Sequence, residues 1–466
     1  MSTYHLAIDL GATSGRSIIA TFDGDKIDME ELTRFRNPML PIADHLFWNL
    51  PGLFDAILIA LREVKKRGIE LSSIGIDTWG CDVAYFNADG TIAGLPYCYR
   101  DPHTDEAPDK FFKRMSASEL YGRTGIQFMN FNTVFQLDVI RPKADRILFI
   151  PDALAYMLTG NAVCEYTVAS TSQMLNPVTG DLDEDILSTL GLQRCMFGKM
   201  VKPGTVIGRL TRQIQEATGL GEVPVIAVAG HDTASAVIGV PAETTDYAYL
   251  SCGTWSLLGI ETPAPIITDA ARSYNFTNEG GIDGTTRFLK NICGLWLFEQ
   301  ARKEFKNVPD DIAALAALCR ESDCPSVIDP DDPSFAHPDS MTRAIADYCG
   351  RTGQPIPETP ADYIRVIYRS LARKYGIVLG WLGELSPVKI KQLNVIGGGS
   401  KNSHLMQMTA DELGIPVIAG PAESTALGNA LVQLRGCGQA ATLAEMRAIA
   451  LRSVETKTYL PNQKQS

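Results

Sequence analysis

Two apolar runs at the start of the chain are separated by a short polar stretch that contains two glycines. The runs cover residues 4–8 and 17–20, and Gly11 and Gly15 lie between them. Apolar runs on either side of a glycine-containing turn are typical of a β-hairpin. Both glycines can adopt positive φ, which lets backbone N–H groups approach an anion, and the Thr, Ser and Arg side chains nearby add donors. The pattern predicts a hairpin whose tip can bind phosphate, although an ordinary glycine-rich hairpin would share it.

Alternating helix and strand patterns follow over the first half of the chain. Residues 53–64 carry apolar positions at helical spacing, and short apolar runs at 73–77, 83–86 and 224–229 are typical of buried strands. Residues 246–260 then repeat the opening layout of strand, turn with glycine and hydroxyl groups, and strand. This repeat indicates an internal duplication of an α/β unit.

The last third of the chain begins with an acidic, proline-rich stretch over residues 308–341, which predicts an irregular surface insertion. A long amphipathic helix follows. Thr359 is its predicted N-cap, because a proline comes next and Asp362 stands three residues further on.

Three consecutive glycines at 397–399 separate a predicted strand over 393–396 from a predicted helix over 401–413. A further strand is predicted over 416–419. Unpaired N–H groups and the helix dipole favour an anion at a helix N-terminus. The loop therefore predicts a nucleotide-binding site, and a tight strand-to-helix turn is the alternative.

Composition and charge exclude several classes of partner. The chain has 466 residues, enough for two or three domains, and a formal net charge of −12, which argues against nucleic acid or an anionic membrane surface. We find neither a signal-peptide pattern nor a run of 18 apolar residues. The ten cysteines lack a Cys-x-x-Cys spacing, which predicts reduced, buried thiols in a cytoplasmic protein rather than a zinc site.

Together, the two glycine turns, the triple glycine and a His-Asp pair after a buried strand suit a nucleoside triphosphate and an acceptor hydroxyl. At this point the chain resembles the FGGY carbohydrate kinases of the actin/hexokinase superfamily, over essentially its whole length. The segments that carry the resemblance are Asp9–Arg16, Ser73–Gly80, Tyr99–Asp101, Thr124–Phe128, His231–Val237, Ser251–Leu257, Thr277–Gly281, Leu289–Ile292 and Ala419–Pro421.

The resemblance implies an α/β fold of two ribonuclease-H-like domains with an active-site cleft between them. It implies an N-terminal sugar-binding domain over 1–240, a C-terminal nucleotide-binding domain over 241–452 and a C-terminal tail over 453–466. It also implies ATP and Mg²⁺ as cofactors and a small-molecule ketose as the acceptor. Nucleic acid and membranes are not expected partners, and the oligomeric state is left open.

The resemblance also assigns roles to individual residues. Asp232, in the sequence Gly-His-Asp-Thr, matches the general base that accepts the proton of the sugar's primary hydroxyl. Asp9, at the end of a predicted strand, is expected to hold Mg²⁺, chiefly through water. The predicted substrate-binding residues are Trp79, Gly80, His231, Asp232, Thr233 and Asn291. The predicted ATP-binding residues are Ala12, Thr13, Ser14, Gly15, Arg16, Thr254, Glu299 and Gly398.

Some of these residues have structural alternatives or depart from the resembled pattern. From the residues alone, Asp232 could cap a helix over 233–237, and His231 and Trp79 could be ordinary core residues. Glu299 stands where the resembled pattern has Gln, which adds a negative charge near the nucleotide. Residues 81–85, directly after Gly80, also depart from the pattern, and we expect this segment, 83–85 included, to form a wall near the sugar.

The predicted reaction transfers a phosphoryl group from ATP to the C1 hydroxyl of a 6-deoxy-L-ketohexose. L-Rhamnulose is the expected sugar, and L-fuculose, which differs in configuration at C4, is the alternative. A non-catalytic protein that senses sugar or nucleotide on the same fold is the alternative outside the enzymes.

Overall fold

The computed structural model describes residues 2–336, 338–386 and 388–462, so the last four residues of the predicted C-terminal tail lie outside the described residues. The chain divides into two compact units. Unit 1 comprises the residues up to Glu243 together with Glu261–Phe288 and Ser424–Ser453. Unit 2 comprises Thr244–Ile260, Leu289–Glu423 and the residues from Val454 onward.

Strands occur throughout the described chain and alternate with helices. The strands are β1 Thr3–Leu10, β2 Ser14–Phe22, β3 Ile27–Arg36, β4 Met39–Ile42, β5 His45–Trp48, β6 Leu71–Thr78, β7 Val83–Phe86, β8 Ile92–Gly94, β9 Arg146–Phe149, β10 Val163–Glu165, β11 Leu175–Asn176, β12 Asp181–Leu182, β13 Lys199–Val201, β14 Thr205–Arg209, β15 Pro224–Ala227, β16 Tyr247–Cys252, β17 Trp255–Thr262, β18 Thr277–Gly280, β19 Thr286–Cys293, β20 Gln392–Ile396, β21 Val417–Ala419 and β22 Lys457–Tyr459.

The α-helices are mostly short, with one long exception in unit 2. They are α1 Leu50–Lys66, α2 Ala107–Phe111, α3 Ala117–Thr124, α4 Thr133–Ile140, α5 Ile150–Thr159, α6 Tyr166–Ser170, α7 Glu184–Leu190, α8 Arg212–Thr218, α9 Asp232–Ile238, α10 Asp269–Ser273, α11 Trp296–Ala301, α12 Ile312–Ala317, α13 Met341–Arg351, α14 Pro360–Leu385, α15 Ser403–Leu413, α16 Ser424–Gly436 and α17 Leu443–Ser453. No helix in the described ranges is both long and apolar enough to span a bilayer.

The main sheet of unit 1 has the strand order β14-β15-β6-β1-β2-β3. β1 and β2 are antiparallel, which confirms the predicted hairpin, whereas β1 is parallel to β6 and β6 is parallel to β15. Apolar side chains of β1 and β6, such as Leu6, Ile8 and Ile74, share one core with the buried face of α1. The predicted helix over 53–64 and the predicted strands over 73–77 and 83–86 are confirmed.

Helix α16 completes unit 1 from the far end of the chain. It packs against α9 and against strand β1, and nearly all of its residues are buried. A Cβ atom on Gly428 would lie 1.7 Å from the backbone oxygen of Ser235 in α9. Only glycine therefore allows the two helices to approach this closely.

The sheet of unit 2 includes, in order, β19, β17, β16, β20, β21 and β22. β16 and β17 form the second predicted hairpin, and β16 is parallel to β20. Helix α14 begins with a capping box in which the Thr359 hydroxyl accepts the N–H of Asp362 and the Asp362 carboxylate accepts the N–H of Thr359. The predicted start of this helix is confirmed.

Two elements differ from the sequence predictions. The strand predicted over 224–229 ends at Ala227, because the Ser235 hydroxyl of α9 binds the carbonyl of Ala229 and the chain has already left the sheet. The stretch over 308–341 is not irregular throughout, since it contains α12. Asp311 caps that helix by accepting the N–H of Ala314, and the alanine-rich sequence favours it.

Candidate active site

Three parallel strands of unit 1 end at one edge of the main sheet and bring three carboxylates together. Asp9 in β1 is the register partner of Asp77 in β6. Strand β15, parallel to β6, leads into His231 and Asp232, and His231 forms a parallel bridge with Thr78. The carboxyl ends of parallel strands are the usual place for ligands in α/β proteins. The three carboxyl groups are close enough that, beyond the effect of burial, the negative charges of Asp9 and Asp232 both raise the pKa of Asp77.

Asp232 is the first residue of α9, and its two carboxylate oxygens have different surroundings. Oδ1 accepts hydrogen bonds from the Thr233 backbone N–H at 2.6 Å and from the Thr233 hydroxyl at 3.1 Å, and it lies 3.4 Å from His231 Nε2. Within the described residues, no group pairs with Oδ2, and the side chain is 31% exposed. The N-cap of α9 is His231, so Asp232 is not the helix cap that the residues alone allowed.

His231 is nearly buried, and two charged residues hold its other ring nitrogen. Nδ1 lies 3.2 Å from Glu279 Oε2 and 3.3 Å from Arg287 Nη2. Arg287 Nη1 in turn lies 3.0 Å from Glu279 Oε2. Burial alone would raise the pKa of Glu279, but the charge of Arg287 and the contact with His231 lower it below its usual value.

Asp77 is a fully buried carboxyl group in the middle of this edge. The Asn429 amide of α16 donates to its Oδ2 at 2.5 Å, and its Oδ1 has no hydrogen-bond partner in the described part of the chain. Burial, followed by the charge of Asp9, raises the pKa of Asp77 well above its usual value. Sequence reasoning included Asp77 in a matching segment but gave it no role, because its neighbours come from other segments of the chain.

A buried chain of hydrogen bonds extends from Asp77 through the core of unit 1. Asn429 accepts a bond from the Gln433 amide at 2.7 Å, and Gln433 accepts one from the Ser73 hydroxyl at 2.7 Å. His5 Nδ1 lies 2.7 Å from the same hydroxyl. Burial lowers the pKa of His5 to about 4, so this ring stays neutral at physiological pH. This series of hydrogen bonds fixes the orientation of the Asn429 amide that faces Asp77.

The tip of the first hairpin lies where the sequence predicts it, but its backbone conformation differs from the prediction. Neither Gly11 nor Gly15 has positive φ. Gly15 instead leaves space for a neighbouring side chain, because a Cβ atom there would lie 2.4 Å from the Phe35 ring and would displace it. Arg16 donates to Asp9 Oδ2 from Nε at 3.0 Å and from Nη2 at 2.7 Å, so both donors are directed at the carboxylate.

The remaining predicted ATP-binding residues of the hairpin are at its turn. Ala12 is half-buried against the core, Thr13 is exposed and Ser14 is the first residue of β2. The Thr13 carbonyl accepts the N–H of Asn37, and the Gly11 carbonyl accepts the Asn37 amide. Asn37 thus fixes the turn from the end of β3.

Trp79 and Gly80 follow β6 directly and pack tightly. Trp79 is buried, its ring centroid lies 4.3 Å from that of Trp48, and its indole N–H donates to Asp82 at 2.9 Å. A Cβ atom on Gly80 would lie 2.9 Å from the Thr171 hydroxyl. The next residue, Cys81, has a φ of 72°, a strained conformation for a residue other than glycine.

Asp82 organises the aromatic cluster beside this turn. Its Oδ2 accepts the indole N–H groups of both Trp48 and Trp79, and its Oδ1 accepts the Gln136 amide at 2.8 Å. Burial raises the pKa of Asp82 to about 6, although these hydrogen bonds oppose the shift. Residues 83–85 follow Asp82 and belong to the segment that the sequence predicts to form a wall near the sugar. All three are buried in the core of unit 1. They contribute packing rather than an accessible surface.

In unit 2, two glycine-containing loops and the start of α11 meet around Cys252. Gly399 has no room for a side chain, since a Cβ atom there would lie 2.3 Å from Cys252 Sγ, and Gly397 has a φ of 83°, a conformation that favours glycine. A Cβ atom on Gly398 would meet nothing within 4 Å. The predicted ATP-binding glycine therefore faces open space between two glycines that the fold requires.

Thr254, Glu299 and Asn291 are the other predicted site residues of unit 2. Thr254 is exposed in the β16–β17 turn, and its carbonyl accepts the N–H groups of Gly294 and Trp296 at the start of α11. Glu299 lies on α11 and pairs with Arg302 at 2.7 Å, which compensates its extra negative charge. Asn291 is half-buried in β19.

The sequence matches known proteins along nearly its whole length. Residues 4–239 match the N-terminal domain, and residues 248–437 the C-terminal domain, of the FGGY family of carbohydrate kinases. The rhamnulokinase of Bacteroides thetaiotaomicron is 49% identical, with 99% of this chain and 96% of that protein covered. The rhamnulokinase of Pectobacterium atrosepticum is 41% identical, with 98% and 92% covered.

Solved structures of sugar kinases share the fold. Gluconate kinase from Lactobacillus acidophilus superposes with a TM-score of 0.82 at 17% identity, covering 100% of this chain and 94% of that one. Plasmodium falciparum glycerol kinase with ADP gives 0.81 at 14% identity, covering 99% and 95%. The predicted two-domain α/β fold is confirmed. Because both family models and the full-length relatives agree, the chain belongs to the FGGY family of carbohydrate kinases.

Proposed function

We propose that this chain transfers the γ-phosphoryl group of ATP to the C1 hydroxyl of L-rhamnulose, with Asp232 as the general base. The observation that carries the proposal is the asymmetry of the Asp232 carboxylate. Oδ1 is engaged by Thr233 and His231, whereas Oδ2 has no partner in the described residues and the side chain is partly exposed. An acceptor oxygen in this state is suited to receive the proton of a substrate hydroxyl.

In the proposed step, Oδ2 of Asp232 takes the C1 hydroxyl proton as the hydroxyl oxygen attacks the γ-phosphorus. The new O–P bond forms while the bond to the β,γ-bridging oxygen breaks, and ADP leaves with that electron pair. A carboxylate is a sufficient base, because the hydroxyl becomes acidic only as the O–P bond forms.

We further propose that the nucleotide is bound by Ala12, Thr13, Ser14, Gly15, Arg16, Thr254, Glu299 and Gly398. The open space at Gly398, between the tightly packed Gly397 and Gly399, supports a role in accepting a ligand. The sugar would be bound by Trp79, Gly80, His231, Thr233 and Asn291, with sugar binding assigned to residues 1–240 and nucleotide binding to 241–452. A cytoplasmic location is part of the proposal.

Mg²⁺ fits the chemistry of the sheet edge in unit 1. Asp9 supplies carboxylate oxygens, which Mg²⁺ prefers as ligands, and it lies in register with Asp77 at the edge of the sheet that also holds Asp232. No group of three or more His, Cys, Asp or Glu side chains in the described residues is arranged to hold a metal directly. Asp9 would therefore hold the ion chiefly through water. When bound, Mg²⁺ would offset the charge of the transferring phosphoryl group.

The sugar assignment comes from the relatives at 49% and 41% identity that carry the name rhamnulokinase. Purified enzyme should be assayed by coupled ADP release with L-rhamnulose and L-fuculose side by side at saturating ATP. We expect kcat/KM to be at least ~10-fold higher for L-rhamnulose, which corresponds to about 1.4 kcal/mol. A ratio at or below one would make L-fuculose the substrate, and ATP binding without phosphorylation of any ketose would favour a sensor.

A further inference from the structure

Arg287, Glu279, His231 and Asp232 form an unbroken line of polar contacts in unit 1. Arg287 is 1% exposed, and its Nη1 lies 3.0 Å from Glu279 Oε2. Arg287 Nη2 lies 3.3 Å from His231 Nδ1, and His231 Nε2 lies 3.4 Å from Asp232 Oδ1. The proposed catalytic carboxylate is therefore connected through one imidazole ring to a buried ion pair.

The contacts at His231 Nδ1 determine whether Nε2, the ring nitrogen near Asp232, carries a proton. A guanidinium has only donors, so Arg287 Nη2 must donate to Nδ1 when the ring is neutral, and the ring proton is then on Nε2. If the ring is charged, both ring nitrogens carry a proton, and the charge at Nδ1 lies 3.2 Å from Glu279 Oε2. In both states Nε2 carries a proton, and Nε2 lies 3.4 Å from Asp232 Oδ1.

The ion pair is itself held in place by the backbone around it. Arg287 Nε donates to the Gly280 carbonyl at 3.0 Å, and the Gly280 N–H donates to the Ser170 hydroxyl at 2.7 Å. On the other side, Glu165 accepts the N–H of Gly230, immediately before His231, at 2.9 Å. The imidazole is thus fixed at its ring and at its backbone.

We propose that Glu279 and Arg287 are positioning residues that hold His231 Nε2–H against Oδ1 of Asp232 and so reserve Oδ2 for the sugar hydroxyl. The inference rests on the proposed role of Asp232 as the base. With His231 released, Oδ1 keeps only its two contacts with Thr233. The plane of the Asp232 carboxylate is then held less tightly, so the direction of its second oxygen toward the hydroxyl is less well defined. A small misplacement of a reacting group costs up to ~10²-fold in rate.

A double-mutant cycle tests whether Glu279 acts through His231. Glu279→Gln keeps the side-chain shape but removes the charge that pairs with Arg287. We expect kcat to fall by ~10-fold or more while KM for ATP stays within about twofold. In a His231→Asn background the same change should lower kcat by less than about threefold, because the group it positions is gone. Effects that multiply, or an unchanged kcat in Glu279→Gln, would overturn the proposal.

Glu261→Gln is the matched control for this cycle. Glu261 also belongs to unit 1 and pairs with a nearly buried arginine, Arg447. Loss of that ion pair should lower the melting temperature without changing kcat. If Glu261→Gln lowered kcat as much as Glu279→Gln, the effect would be one of general stability and the proposal would fail.

A spectroscopic measurement on the unmodified protein does not depend on any variant folding. The ¹⁵N shifts of the histidine side chains report which ring nitrogen carries the proton, and His231 is assigned by the signal lost in His231→Asn. We expect Nε2 to be protonated at neutral pH. A neutral ring protonated on Nδ1 only would contradict the inference. Asp232→Asn separates the two proposals: if it stays active, the base assignment fails whatever the state of His231.

Discussion

At the residue scale, the site depends on how each carboxylate is surrounded. Asp9 is paired with Arg16, Asp77 is buried against Asn429, and Asp232 is partly exposed with one oxygen unpartnered in the described chain. Three identical side chains at one sheet edge thus have three different environments, which are set by their neighbours. The neighbours come from β2, α16 and α9, which is why spacing along the chain does not reveal them.

Asp232→Asn should abolish most of the activity without disturbing the fold. The amide oxygen can still accept from Thr233, so α9 keeps its first turn, but the side chain can no longer take a proton. We expect kcat to fall by ~10² to 10⁴-fold with little change in sugar binding. Steady-state kinetics and a thermal melt measure both. Retention of more than about a third of the turnover, with chemistry rate-limiting, would mean that another group is the base.

Asp82→Asn should change how stability depends on pH. Burial raises the pKa of Asp82 to about 6 in the folded protein, above its value of about 4 in an unfolded chain. The folded state binds the proton more tightly, so this contribution is present at about pH 4 and is lost as pH rises through about 6. The stability of the wild type relative to Asp82→Asn should fall by up to ~3 kcal/mol over that interval. Denaturant titrations at each pH would contradict this by giving a constant or rising difference.

At the element scale, neighbouring positions of one loop differ in whether the fold requires them or leaves them open to a ligand. Gly399→Ala should destabilise unit 2, because its Cβ atom would lie 2.3 Å from Cys252 Sγ. Gly398→Ala meets open space, so we expect an unchanged melting temperature but a higher KM for ATP. The Gly398→Ala and Gly399→Ala variants serve as controls for each other. Equal losses of stability in both variants would show that the loop is structural only.

The capping box of α14 makes a second prediction for a single element. Thr359→Ala removes the hydroxyl that accepts the N–H of Asp362 at 3.2 Å. A lost N-cap costs about 1 kcal/mol, measured as the change in free energy of unfolding in urea. The neighbouring Glu358→Ala, at an exposed position, should cost less than half as much. A Thr359→Ala variant as stable as the control would show that α14 is held by packing alone.

Elements with a strong local signal were predicted well from the sequence, and elements defined by distant contacts were not. The first hairpin, α1 and the start of α14 are confirmed, because glycine turns, helical spacing and caps act over a few residues. The backbone at Gly15 lacks the predicted positive φ, and the space at this glycine is occupied by the ring of Phe35 from another strand. Sequence reasoning likewise gave Glu279, Arg287 and Asn429 no role, although the first lies in a matching segment.

At the scale of the whole molecule, unit 1 needs residues from both ends of the chain. α16 supplies Asn429 and Gln433 to the core beneath β1 and β6. A fragment of residues 1–243 lacks this helix and would expose the apolar surface that it covers. We expect the fragment to be largely unfolded or aggregated, as judged by circular dichroism and limited proteolysis. A monomeric fragment with a cooperative melt near that of the full chain would contradict this.

The late position of α16 has a consequence for how the enzyme is made. Asp9 and Asp77 leave the ribosome early, yet the amide that faces Asp77 is synthesised 352 residues after it. At ~5–20 residues per second, the first sheet waits on the order of ten seconds or more for the helix that covers it. A chain that terminates before Ser424 lacks α16 and therefore lacks the Asn429 amide that donates to Asp77 at this edge of the sheet. We therefore expect a nascent chain to complete this edge of the sheet, and with it the environment of Asp77, only after α16 has been synthesised.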